Sequence, residues 1–145
     1  MKKVFLIAIT SLFMAACSKS DDKGIDRNSF AGTTWELVHS EGYYYETLRD
    51  SREDWNYYTS DKNAETLIFN KDNTGTCSRI EGTKYYSDDF TWSYNSNTNT
   101  LTISYGYDDN EIYEVAKMSS SEMILIQSEK EPGYELYDKM TFRKR

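Results

Sequence analysis

The chain has 145 residues, 17 basic against 24 acidic, for a net charge of −7. That balance argues against nucleic acid as a partner, because such binding rests on basic patches, and against attraction to an anionic membrane surface. The length suits one domain with one core.

Residues 1–16 read as a leader rather than as part of a fold. Lys2 and Lys3 give it a positive start, and Val4 to Met14 is an apolar run. The run is shorter than the roughly 20 apolar residues of a membrane span, and Ala15 and Ala16 are the small residues of a cleavage site. Met14-Ala15-Ala16-Cys17 resembles the lipobox of bacterial lipoproteins, with Met14 where leucine is commonest. The resemblance implies that Cys17 is acylated, opens the mature chain and anchors it to a membrane. A plain secretory cut that leaves Cys17 free is the alternative. Loss of residues 1–16 removes Lys2 and Lys3 and no acid, so 15 basic residues face 24 acidic ones, a net charge of −9.

Residues 17–29 are expected to be the lipidated cysteine and a polar, flexible tether. Within it, Lys19 to Asp22 resembles the short acidic signal that sends Bacteroidetes lipoproteins to the outer face of the outer membrane. Once Cys17 is acylated, Cys77 is the one remaining thiol, so no intrachain disulfide forms. Cys77 reads as a small buried apolar group.

From residue 30 the chain is written in strands. Asn28 or Ser29 caps a single helical turn in the lead-in. Thr33 to His39 is the first strand, with Trp35, Leu37 and His39 on one face, and Glu41-Gly42 turns the chain. Residues 46–63 break the rhythm: Leu48, Arg52 and Trp55 fall at helical spacing and predict a short helix or an ordered loop. Strands return at Leu67-Ile68-Phe69, turn at Lys71 to Gly75 and continue through Thr76 to Ile80. Ser87-Asp88-Asp89 is expected to interrupt the chain. Phe90 to Tyr105 is the clearest hairpin: Phe90, Trp92 and Tyr94 alternate with polar residues, as do Leu101, Ile103 and Tyr105 across an Asn-rich turn. Ile112–Met118, Met123–Gln127 and Tyr134–Lys144 complete the set.

Eight or nine short antiparallel strands joined by tight turns predict an all-β, up-and-down meander that removes its edges by closing into a barrel. A flattened sandwich of two sheets is the alternative. The order and spacing of Gly32-Thr-Thr-Trp35, Leu67-Ile-Phe69, Trp92-Ser-Tyr94, Leu101-Thr-Ile103 and Ile112-Tyr-Glu-Val115 resemble the lipocalin-like domains of Bacteroidetes lipoproteins. The resemblance covers residues 30–145 and implies a barrel and, loosely, ligand binding. In such barrels a basic residue often lies over the first-strand tryptophan, and Arg143 is the candidate to lie over Trp35.

Trp35, Phe69, Trp92 and Ile103 read as core. Tyr43, Tyr44, Tyr45, Trp55, Tyr57 and Tyr58 surround the irregular segment and are the candidates to line a ligand mouth. Asp108-Asp109-Asn110-Glu111 reads as a solvated turn before a calcium site, and no metal is expected. His39 is the single histidine, no nucleophile elbow or phosphate loop is present, and no catalytic residue or cofactor is assigned. The reading is a non-enzymatic, outer-membrane-anchored protein that binds a small apolar or amphipathic ligand in the barrel mouth. The alternative is a surface module that meets a protein or glycan through the aromatic 43–60 segment. If Cys17 carries the anchor, Cys17→Ala moves the protein from the membrane fraction to the soluble fraction; a processed variant that stays membrane-bound contradicts the lipobox reading.

Overall fold

A computed structural model describes residues 24–60, 64–106 and 110–145. The leader, Cys17, most of the tether and the Asp108-Asp109 pair lie outside these residues. Nine strands are described: β1 (Thr33–Glu46), β2 (Ser51–Tyr58), β3 (Glu65–Phe69), β4 (Thr74–Glu81), β5 (Lys84–Asn95), β6 (Thr100–Ser104), β7 (Asn110–Met118), β8 (Glu122–Glu131) and β9 (Tyr134–Lys144).

All the pairings are antiparallel, and β3 to β9 follow one another in sequence order. β1 closes the ring, pairing β3 through Thr33–Glu36 on one edge and β9 from Trp35 to Glu46 on the other. The result is a closed eight-stranded up-and-down barrel. The sandwich alternative is excluded by the β1–β9 seam, which leaves no break at which two sheets could separate.

β2 is the ninth strand, outside the ring. It pairs His39–Glu46 of β1, above the segment of β1 that β3 occupies. Here the structure corrects the expected helix or loop over 46–63. The helical spacing of Leu48, Arg52 and Trp55 is coincidental, because hydrogen bonding to β1 overrides a weak local pattern. The expected turn at Glu41-Gly42 is likewise absent, since β1 runs through it. The true turn is at Thr47–Asp50, where Asp50 takes a left-handed φ of 48°. β5 also runs unbroken through Ser87-Asp88-Asp89.

A bulge between Leu37 and His39 changes which face of β1 looks inward. Trp35 and Leu37 point into the barrel, but His39 is shifted outward, and Ser40 and Gly42 take the inner face instead. His39 therefore lies outside, its ring tilted against Tyr58 at 4.5 Å and 3.0 Å from the Asn56 side chain. It does not share a face with Trp35 and Leu37 as expected, because one extra residue in a strand inverts the alternation after it.

The lower half of the barrel is packed solid. Trp35, Phe69, Leu101, Ile103, Val115, Met123, Leu125 and Phe142 are almost wholly buried, and Trp92 and Phe90 are buried beside them. Below them a short 3-10 turn, Arg27–Ser29, crosses the barrel end. Its cap is Asp26 rather than Asn28 or Ser29, and the Asp26 carboxylate accepts the backbone N–H groups of both residues. The turn delivers Phe30 into the opening. The Phe30 ring meets Phe69 edge-on at 5.7 Å, Tyr94 at 5.1 Å and Trp92 at 6.0 Å. Trp35 donates its indole N–H to Thr33 Oγ1 at 2.8 Å, so this buried polar atom is satisfied. The cation over Trp35 is Lys144, 5.7 Å from the ring, and not Arg143. Arg143 points outward and pairs with Glu36 at 3.3 Å.

Phe30→Ala leaves a cavity at the sealed end and is expected to cost about 3–5 kcal/mol in denaturant unfolding. A cost below about 1 kcal/mol would mean that the turn does not close the barrel.

Candidate functional site

The upper half of the same barrel has a different interior. Moving up each strand, the inward positions change from apolar to polar. On β3, Phe69 and Leu67 are followed by Glu65. On β4, Cys77 is followed by Arg79, and on β6 Ile103 by Tyr105. On β7, Val115 gives way to Tyr113 and Glu111; on β8, Leu125 to Gln127; on β9, Met140 to Asp138. The registers bring these polar ends together, with Glu65 opposite Arg79 and Gln127 opposite Asp138. They enclose a cavity of about 200 Å³ whose floor is Leu67, Ile103, Leu125, Met140 and Phe142. An eight-stranded barrel has room for filling side chains or for one small ligand, and this one divides the two uses between its halves.

Each polar group of the cavity has a distinct setting. Arg79 forms ion pairs with two acids on its own face of the β4–β5 pair, Nε 3.3 Å from Glu81 and Nη1 3.6 Å from Asp88, while its buried Nε makes no hydrogen bond. Tyr113 donates its hydroxyl to Glu111 at 2.6 Å. Asp138 accepts from Ser40 Oγ at 2.9 Å and from the Trp55 indole N–H at 3.2 Å. Among the described residues, Glu65 has no hydrogen-bond donor and no cation at ion-pair distance; Arg79 acts on it only from further away. Burial, and then repulsion from Glu111, push the Glu65 carboxyl above its ordinary range. Burial does the same to Asp138, against the pull of the bonds from Ser40 and Trp55. The Cys77 thiol is pushed up to about 12, chiefly by burial. It is buried within the apolar core as expected, and it also borders the cavity. Burial also raises the Tyr105 and Tyr113 hydroxyls.

The six aromatic candidates divide between two faces of the β1–β2 ribbon. Register and alternation put Tyr44, Trp55 and Tyr57 on the face continuous with the barrel interior, and Tyr43, Tyr45 and Tyr58 on the outer face. Trp55 is the one tied to the cavity. Its ring lies over Gly42, where a Cβ would stand 2.7 Å from ring atom Cζ2 and 2.1 Å from the Tyr137 carbonyl oxygen. Only a glycine leaves that slot open, and through it the indole N–H reaches Ser40 and Asp138 at the rim. Tyr44 stacks on Tyr134 at 5.8 Å, and Tyr57 is exposed. On the outer face Tyr43 stacks on Tyr137 at 6.0 Å beneath the Arg52 guanidinium, while Tyr45 donates to Asp50 at 2.8 Å. These three outer tyrosines do not line the cavity, because alternation points them away from it.

A surface cleft adjoins the cavity on the side of β5 and β6. β6 ends at Ser104, so β5 pairs with β6 only from Thr91 to Asn95, and Lys84–Phe90 pairs with β4 alone. Where the wall is thin, a surface cleft is lined by Ser87, Asp88 and Asp89. Arg79, Tyr105 and Glu111 line both this cleft and the inner cavity.

The strand pairing defines the class: a closed up-and-down β-barrel with a packed base and a polar internal cavity. No protein-family model matches the chain, and no curated protein matches it. Among solved structures the chain is similar to bovine odorant binding protein in complex with a selenium-containing odorant. The identity is 10% and the TM-score 0.48, over 87% of this chain and 78% of that one.

A carboxyl raised by burial weakens the fold as it ionises. The native state holds its proton longer than the unfolded chain does, so stability falls as pH rises from the ordinary carboxyl value of 4.5 through the raised one. Glu65→Gln is therefore expected to lose less stability than wild type between that value and neutrality in pH-resolved thermal unfolding. An equal loss would place Glu65 in water.

Proposed function

We propose that this protein is a non-enzymatic, lipid-anchored carrier or sensor of a small amphipathic molecule, held in the upper barrel. The observation that carries the reading is the cavity of about 200 Å³, with polar walls over an apolar floor. A solid barrel would need no such space, and buried polar groups are costly unless something meets them. The size, below the roughly 300–1,000 Å³ of common ligand pockets, favours a compact ligand. The walls favour an amphipathic ligand over a purely apolar one, because an oil-like molecule would strand the Glu65 carboxyl, which no donor among the described residues meets.

Binding rather than catalysis is supported by where the reactive groups lie. His39, the single histidine, sits on the outer face against Tyr58. Cys77 does line the cavity, but its raised pKa leaves almost no thiolate near neutrality. The anchor and the outer-membrane location rest on Met14 to Cys17 and on the acidic segment after it. A second reading, a module that meets a protein or glycan, is favoured by the exposed Tyr44, Tyr57 and Tyr58 of the β1–β2 ribbon. It would use the ribbon and leave the cavity empty.

Native mass spectrometry of the acylated protein, purified from its own envelope in a mild detergent, separates these readings. The carrier reading expects a reproducible small added mass that is lost on denaturation and is weakened by changes at Glu65 or Asp138. An added mass that survives those changes and disappears with Tyr57→Ala or Tyr58→Ala would contradict it.

A further inference from the structure

We infer that the cavity selects a cation: a small primary amine or guanidine whose charged end meets Glu65 and Asp138 and whose apolar body lies on Ile103 and Leu125. This rests on the reading that the cavity holds a small ligand, and it names the chemical class of that ligand.

The inner wall carries three carboxylates, Glu65, Glu111 and Asp138, and one guanidinium, Arg79. That guanidinium is shared: Glu81 and Asp88 lie 3.3 and 3.6 Å from it, and it acts on Glu65 only from further away. Neither Glu65 nor Asp138 has a cationic side chain at ion-pair distance among the described residues. Among the described residues, Asp138 is met only by the neutral donors Ser40 and Trp55. A carboxylate inside a barrel without a cation is an uncompensated charge, and such a charge is expensive until an opposite one arrives. An ammonium or guanidinium group supplies that charge together with several N–H donors, which suit acceptor-only carboxylates.

The approach to the cavity has the same sign. Asp88 and Asp89 line the cleft outside the thin part of the wall, and Glu111 borders both the cleft and the cavity. Asp88, Asp89 and Glu111 outnumber the guanidinium of Arg79, which also lines the cleft, and a path of net negative charge raises the local concentration of cations. The floor sets the other end of the ligand. Ile103 and Leu125 are buried and apolar, so a short hydrocarbon or single aromatic ring completes the fit. The net negative charge of the path disfavours a carboxylate ligand.

Three near-isosteric probes test this on the isotope-labelled intact protein in a non-ionic detergent: phenethylamine, phenethyl alcohol and phenylacetate. Phenethylamine is expected to shift the amide NMR signals of Glu65, Ile103, Gln127 and Asp138. It should bind at least tenfold more tightly than the alcohol, with no saturable shift from phenylacetate. Glu65→Gln is expected to weaken the amine by fivefold or more and leave the alcohol unchanged. Equal binding of amine and alcohol would overturn the cation inference while leaving the cavity as a binding site. So would a preference for phenylacetate, or amine binding untouched by both Glu65→Gln and Asp138→Asn. If none of the probes moves these amides, both the inference and the carrier reading fall.

Discussion

Everything in this molecule depends on the pairing of its first and last barrel strands. β1 and β9 are matched at eleven positions from Trp35–Lys144 to Glu46–Tyr134. That seam converts a meander with two raw edges into a ring, and only a ring has an inside. It is also long-range, joining residues about 90 to 110 apart in sequence, so its loop-closure cost is met by what the ring encloses. The bulge after Leu37 is part of this constraint. It lets one strand present Trp35 and Leu37 to the base, then Ser40 and Gly42 to the rim.

The base and the cavity do different physical work. Below, Phe30, Trp35, Phe69 and Phe142 leave water together, each contributing on the order of 1.5–3 kcal/mol. Above, Glu65 and Asp138 are raised by burial and oppose folding when ionised. A chain selected for stability alone would place leucine or valine at those inward positions. The retained polar groups are therefore the part of the barrel that packing does not explain, and the base is what stabilises the fold in spite of them.

Much of this was legible in the sequence. The hairpin of Trp92 and Ile103, the buried Phe69 and the closed barrel follow from alternation and turn chemistry. β2 was not legible, because its residues are almost all exposed and carry no inward apolar pattern. Its strand state comes from hydrogen bonds to β1. The shift of His39 was hidden for a related reason: a bulge leaves no mark in the alternation until the partner strand is known. The density of aromatics in residues 43–58 marks a site in the sequence, yet of the six Trp55 alone reaches a cavity residue. The cavity residues themselves were visible one strand at a time. Glu65 precedes Leu67, Gln127 follows Leu125 and Asp138 precedes Met140 on the inward positions. Only the registers show that these changes occur at one level around the ring.

The most direct test of a barrel packed below and polar above is a crystal structure fine enough to show ordered water. The account predicts discrete density inside the closed ring, water or ligand, within hydrogen-bond distance of Glu65, Gln127 and Asp138. It also predicts none among Trp35, Phe69 and Phe142. Side chains collapsed to fill the upper space, or an open seam between β1 and β9, would contradict it.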